Sequence, residues 1–188
     1  MNWKSGTFAA LALSLVVAGE LQVGAQQRDC CRAGSEELPP VWFARIGVVE
    51  QAIAARDGVR AARAWPDVWT VAQASRRWDA LLTAGDAALR IGELTRATLS
   101  GRFNARQAYR AALFRAYSQR SIEGVLRTAE ALTLMGDREM PEVALSMARK
   151  LAATSGDQEV RDRVERDARR ITARATGAPE GVSVDAAP

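Results

Sequence analysis

The sequence predicts an all-α protein of roughly six to seven antiparallel helices, paired as hairpins in a small α-solenoid or helical bundle. Three observations lead there. Alanine is abundant; it has the best helix propensity and lets helices approach closely. Apolar residues recur three and four positions apart, and no stretch alternates apolar and polar over a strand length. Gly-Asp pairs stand at Gly85-Asp86, Gly136-Asp137 and Gly156-Asp157. Each reads as a helix stop followed by a helix start, because glycine takes the left-handed C-terminal position and aspartate caps the next helix.

The chain opens with the pattern of a secretory signal. Lys4 precedes an uncharged apolar run over residues 6–19, followed by a more polar segment to Ala25. The run is shorter than the ~20 apolar residues a spanning helix needs. Val23 and Ala25 are small residues at −3 and −1 of a cut before Gln26. The expected product is periplasmic or secreted, and not transmembrane after processing. Residues 26–38 read as a flexible leader that carries the adjacent pair Cys30 and Cys31. In an oxidising compartment these form either a strained vicinal disulfide or a bridge to another chain. Gln27 to Asp29 lack the small apolar residues of a lipoprotein signal.

A helical domain is expected over 39–174. Pro39-Pro40 suits a first helical turn, and Trp42, Ile46, Val49 and Ile53 share one face of a helix that runs to about 55. A short helical piece follows over 59–64. Pro66 is expected to start the next helix, 66–83, with Val71, Ser75, Trp78 and Leu82 on one side and Trp65, Trp69 and Ala72 on another. A helix apolar on two sides belongs in the middle of a fold. Its tryptophans read as core packing or as a ligand-stacking surface. Further helices are expected at about 87–99, 104–118, 121–135, 138–153 and 157–174. Ser121 caps one of them, and Ser155 with Gln158 resembles a capping box. Val160, Val164, Ala168 and Ile171 make a narrow stripe on a highly charged last helix, which suits the edge of the fold. Residues 175–188 read as a disordered tail. The Gly-Asp pairs show no fixed period.

Within 105–141, Tyr109, Ala112, Leu113 and Ala116 supply one helix of a hairpin, and Val125, Ala129 and Leu132 the other. The segment resembles a tetratricopeptide hairpin in general style. Its small and large residues fall at swapped positions relative to that family's pattern, so no binding residue is carried over.

Composition narrows the chemistry. Histidine is absent, which removes the usual general base, the usual zinc or iron ligand and any Ser-His-Asp arrangement. Lys150 is the sole lysine after Lys4. No phosphate-cradling loop or nucleophile elbow is present. We therefore expect no catalytic residues, no metal and no cofactor. Glu50, Glu93, Glu123 and Glu130 lie in or near apolar stretches, and a carboxylate-dependent cell-wall hydrolase is the enzymatic alternative.

The formal charge is +4, nearly all of it from arginine. A genome rich in G and C yields the same Ala/Arg abundance, so composition alone does not name an anionic partner. The densest positive segment runs from Arg90 to Arg127, where eight arginines face Glu93 and Glu123 alone. Arg102, Arg106 and Arg110, spaced by four, line up on one side of a helix. Tyr109, Phe114 and Tyr117 interleave with them, and these six are the candidate binding residues. Arginine on phosphate with aromatics stacking on bases would suit nucleic acid, but an export signal argues against that partner. The expected partner is another envelope protein or peptide, bound by an adaptor or scaffold. An anionic envelope surface of lipid head groups or lipopolysaccharide is the alternative.

Overall fold

Seven helices make up almost all of the described residues, 38–176, in this computed structural model. They are α1 (Pro40–Ala54), α2 (Gly58–Ala74), α3 (Trp78–Leu94), α4 (Thr98–Ser118), α5 (Ile122–Leu134), α6 (Met140–Ser155) and α7 (Gln158–Thr176). The expectations for the signal, the leader with Cys30 and Cys31, and the tail beyond Thr176 lie outside the described residues.

Local chemistry sets most boundaries. Proline occupies the first turns of α1 and α6, where its missing N–H costs nothing. The side chains of Asp57 and Ser121 accept hydrogen bonds from Arg60 N at 2.9 Å and Gly124 N at 3.0 Å, capping α2 and α5. Asp157 caps α7 through Glu159 N at 2.8 Å. Ser155 is the last residue of α6, and its Oγ donates to Ala152 O. The Ser155–Gln158 box is therefore not formed, because Asp157 sits two residues nearer the amides that need an acceptor.

Two expectations about punctuation are corrected. Pro66 lies inside α2 and starts no helix. The helix begins eight residues earlier, at the Asp57 cap, and burial of Ala61, Val68 and Ala72 carries it through the proline. Trp78 then opens α3, so it shares no helix with Trp65 and Trp69. Gly85-Asp86 is no hinge either. Gly85 is buried in mid-α3, where a Cβ would lie 2.4 Å from Cε1 of Tyr109. Its glycine is required by a ring, not by a turn.

The hinges are written in another residue. Among the described residues, the non-glycine positions with positive φ are Arg56, Arg76, Arg96 and Arg120, all at 56–57°. Gly136 and Gly156 take the same left-handed conformation after α5 and α6. At Arg56 and Arg120, as at Gly136, paired backbone bonds close the helix end. Arg56 N donates to Ile53 O and Asp57 N to Ala52 O; Arg120 N donates to Tyr117 O and Ser121 N to Ala116 O. This is the Schellman arrangement, which satisfies the last carbonyls of a helix. Arginine replaces glycine at a steric cost, but its cation sits at the negative end of the helix dipole. Arg56, Arg76, Arg96, then Gly136 and Gly156, fall at multiples of 20 residues. The repeat is one helix long, and two helices make a hairpin.

Each helix packs on its neighbour in sequence, and α1–α3, α3–α5, α4–α6 and α5–α7 also touch. The odd-numbered helices thus form a continuous layer. Two apolar clusters meet at α4 and α5: one joins Trp42, Val49, Val68, Leu81, Tyr109 and Leu132, the other Leu113, Val125, Leu145, Val164 and Ile171. The α3–α4 crossing is the tightest. A Cβ on Gly101 would lie 2.7 Å from Gly92 Cα, so the two backbones touch. Ala105, Ala108, Ala112 and Ala116 continue that close face along α4. Trp65 stacks on Trp69 with ring centroids 5.9 Å apart, and its Nε1 donates to Ala84 O at 2.9 Å. These two tryptophans tie α2 to α3. In α7, Val164, Ala168 and Ile171 are buried against α5 and α6, as their spacing predicted.

Candidate functional site

The six candidate residues on α4 do not form one surface. Arg102 and Arg106 do share a side of the helix, and both reach the α5–α6 turn. Arg102 Nη2 donates to Met135 O, and Arg106 Nε donates to Asp137 Oδ2, each at 2.5 Å. Asp137 also accepts from Glu139 N and Met140 N at 3.1 Å. Burial raises its proton affinity, but the Arg106 bond and the two amides outweigh this and hold the carboxyl below its ordinary range. Arg110 is exposed and makes no ion pair among the described residues. Phe114 is exposed, whereas Tyr117 is half-buried against the second cluster. Tyr109 is buried, so its ring is not available for stacking. One helix step from Arg110 to Tyr109 turns the side chain by about 100°, from solvent into the core.

Tyr109 instead serves the odd-numbered layer from beneath. Its hydroxyl donates to Asp86 Oδ1 at 2.7 Å. Burial and that bond push the phenol well above its usual range. Desolvation likewise raises the Asp86 carboxyl, against the Tyr109 bond and the charges of Arg127 and Arg90. Asp86 is the only carboxyl among the described residues that is shifted upward.

Around Asp86 runs a ladder of charge that crosses all four odd helices. Arg90 of α3 donates to both carboxylate oxygens of Glu50 of α1, at 2.7 and 2.8 Å. Arg127 of α5 acts on Asp86, lies 5.9 Å from the Trp78 ring centroid and stands 3.9 Å from Glu123. Glu130 of α5 receives Arg170 of α7 at 3.2 Å and Arg174 beside it. A recess of about 240 Å³ opens between α5 and α7, lined by Leu126, Arg127, Glu130 and Arg163. The acids Glu50, Glu123 and Glu130 stand out in the sequence, but their partners do not. The signal that marks them is separation: Glu50–Arg90 and Glu130–Arg170 are both 40 residues apart, the span of two helices and two turns.

No group of three or more ligating side chains is gathered where it could hold a metal ion, and no helix is long and apolar enough to cross a membrane, among the described residues. No protein-family model matches the chain, and no curated protein matches it.

Proposed function

We propose that this chain is an exported helical-hairpin adaptor that holds an envelope protein or peptide against the layer of odd-numbered helices. The observation that carries this reading is the ladder itself. It places charge on α1, α3, α5 and α7: Glu50 pairs with Arg90, the Arg90 and Arg127 charges act on Asp86, and Glu130 pairs with Arg170. Its ion pairs are part-exposed: Arg90 and Glu50 keep 47% and 41% of their side-chain surface. Such pairs add only about 0–1 kcal/mol each to folding. A partner's carboxylates or backbone carbonyls can therefore take over the arginine forks at little cost to the fold. Helical-repeat proteins present extended surfaces of this kind. The signal-like first 25 residues support an envelope address.

The test is capture from the envelope fraction, with Arg90→Gln/Arg127→Gln as the comparison. We expect a stoichiometric partner that the wild type retains and the double variant releases, at unchanged helix content. A partner held equally by both proteins, or none at all, overturns the assignment to this face.

A further inference from the structure

Connections of two to five residues make successive helices antiparallel, so alternate turns gather at the same end of the array. The α1–α2, α3–α4 and α5–α6 turns share one end. Contacts confirm the gathering: a Cβ on Gly58 would meet Thr95 Cγ2 at 2.8 Å, and Arg102 reaches Met135. Of the nine exposed large apolar side chains among the described residues, the four most exposed all stand at this end. They are Leu99 at 84%, Leu134 at 71%, Phe103 at 63% and Val59 at 59%. Val59, Leu99 and Leu134 flank turns, and Phe103, one helical turn further along α4, shares a side of that helix with Leu99.

Arginines surround these tips. Arg56, Arg60, Arg96 and Arg138 are exposed and make no ion pair among the described residues. Arg102 and Arg106 line a recess of about 440 Å³ with Phe103 and Met135. Of the acids at this end, Asp57 caps α2 and the Asp137 side chain keeps 4% of its surface, while Glu93, beside Leu134 and Arg102, and Glu139, 3.8 Å from Arg106, are exposed.

We propose that this end of the array docks on an anionic lipid surface, with Leu99, Phe103, Leu134 and Val59 entering the acyl boundary and the arginines meeting lipid phosphates. The occupant follows from the shape and charge of the end. The apolar groups are separate side chains protruding from the near ends of α2, α4 and α5, which suits a planar interface better than the continuous stripe a partner helix would need. Guanidinium forks without acidic partners complement phosphate. This surface is distinct from the charged ladder, and the inference does not rest on the adaptor reading.

The experiment is flotation of the full chain with phosphatidylcholine vesicles containing about one-third phosphatidylglycerol, against pure phosphatidylcholine, across a salt series. Leu99→Ser/Leu134→Ser is compared with Phe43→Ser/Phe114→Ser, which removes exposed apolar groups elsewhere. Any contribution of the amino-terminal apolar run is common to all three proteins. We expect binding to anionic vesicles that weakens with salt and falls about tenfold in the Leu99/Leu134 variant only. All four residues are exposed, so circular dichroism should show the same helix content throughout. Equal binding by both double variants overturns the proposal. So does equal binding to neutral vesicles, or absence of vesicle binding in a protein that binds poly-glutamate.

Discussion

Arg96 holds a backbone conformation that a side chain disfavours. The left-handed region costs an L-residue about 1–2 kcal/mol, and glycine removes that cost while giving back about 0.5–1 kcal/mol in chain entropy. We therefore expect Arg96→Gly to raise stability by about 0.5–1 kcal/mol, read as a higher urea midpoint at unchanged slope. A lower midpoint would mean that the arginine's charge at the end of α3 outweighs its backbone strain. The same residue shows why hinges were hard to read. Glycine followed by aspartate is the expected sign of a helix stop, and it was correct at Gly136 and Gly156. It failed at Gly85, where the small residue makes room for a tyrosine ring that arrives from another helix. Sequence periodicity sees neighbours three and four apart; it does not see a ring from 24 residues away.

At the scale of the element, the α5–α6 turn is the best-defined joint near the arginine-rich helix. Asp137 caps two amides and accepts from Arg106. Asp137→Ala should cost about 1–2 kcal/mol at neutral pH through the lost caps alone. Burial works against the Asp137 carboxylate, but its bonds hold the native-state pKa below the unfolded value. The stabilisation is therefore present above about pH 4 and is lost as pH falls through the native-state value. Urea unfolding at neutral pH and at about pH 3 should show the gap between wild type and Asp137→Ala closing in acid. A gap that stays constant would show that ionisation of Asp137 is irrelevant to the turn. The helices from α5 onward matched their expected spans closely because serine, proline, glycine and aspartate signals agree there with apolar spacing. The spans of α2 and α3 did not, and α4 begins six residues before the expected 104. The Pro66 ring disfavours a helix interior, and only burial on α1 and α3 overrules it.

Over the whole molecule, stability is shared between neighbours, as in any linear array. Helix α7 buries Val164, Ala168 and Ile171 alone and lies last in the order, whereas α4 belongs to both apolar clusters, as α5 does, and also makes the tight crossing with α3. Amide exchange followed by mass spectrometry should find α7 opening first and α4 last, with protection rising inward. Uniform protection from α1 to α7 would instead describe one all-or-none unit. The fold class was legible because helix count and turn spacing are local properties. The ladder on the odd-numbered layer was not, since each rung joins residues whose proximity is created only when hairpins stack. The Gly92–Gly101 contact sets how such a stack can flex. Two rods whose main chains already touch have no side-chain cushion left to compress or slide through. They behave as a single stiff beam, and any bending that lets the protein adapt to a bound surface must occur at the joints on either side, between α2 and α3 or between α4 and α5.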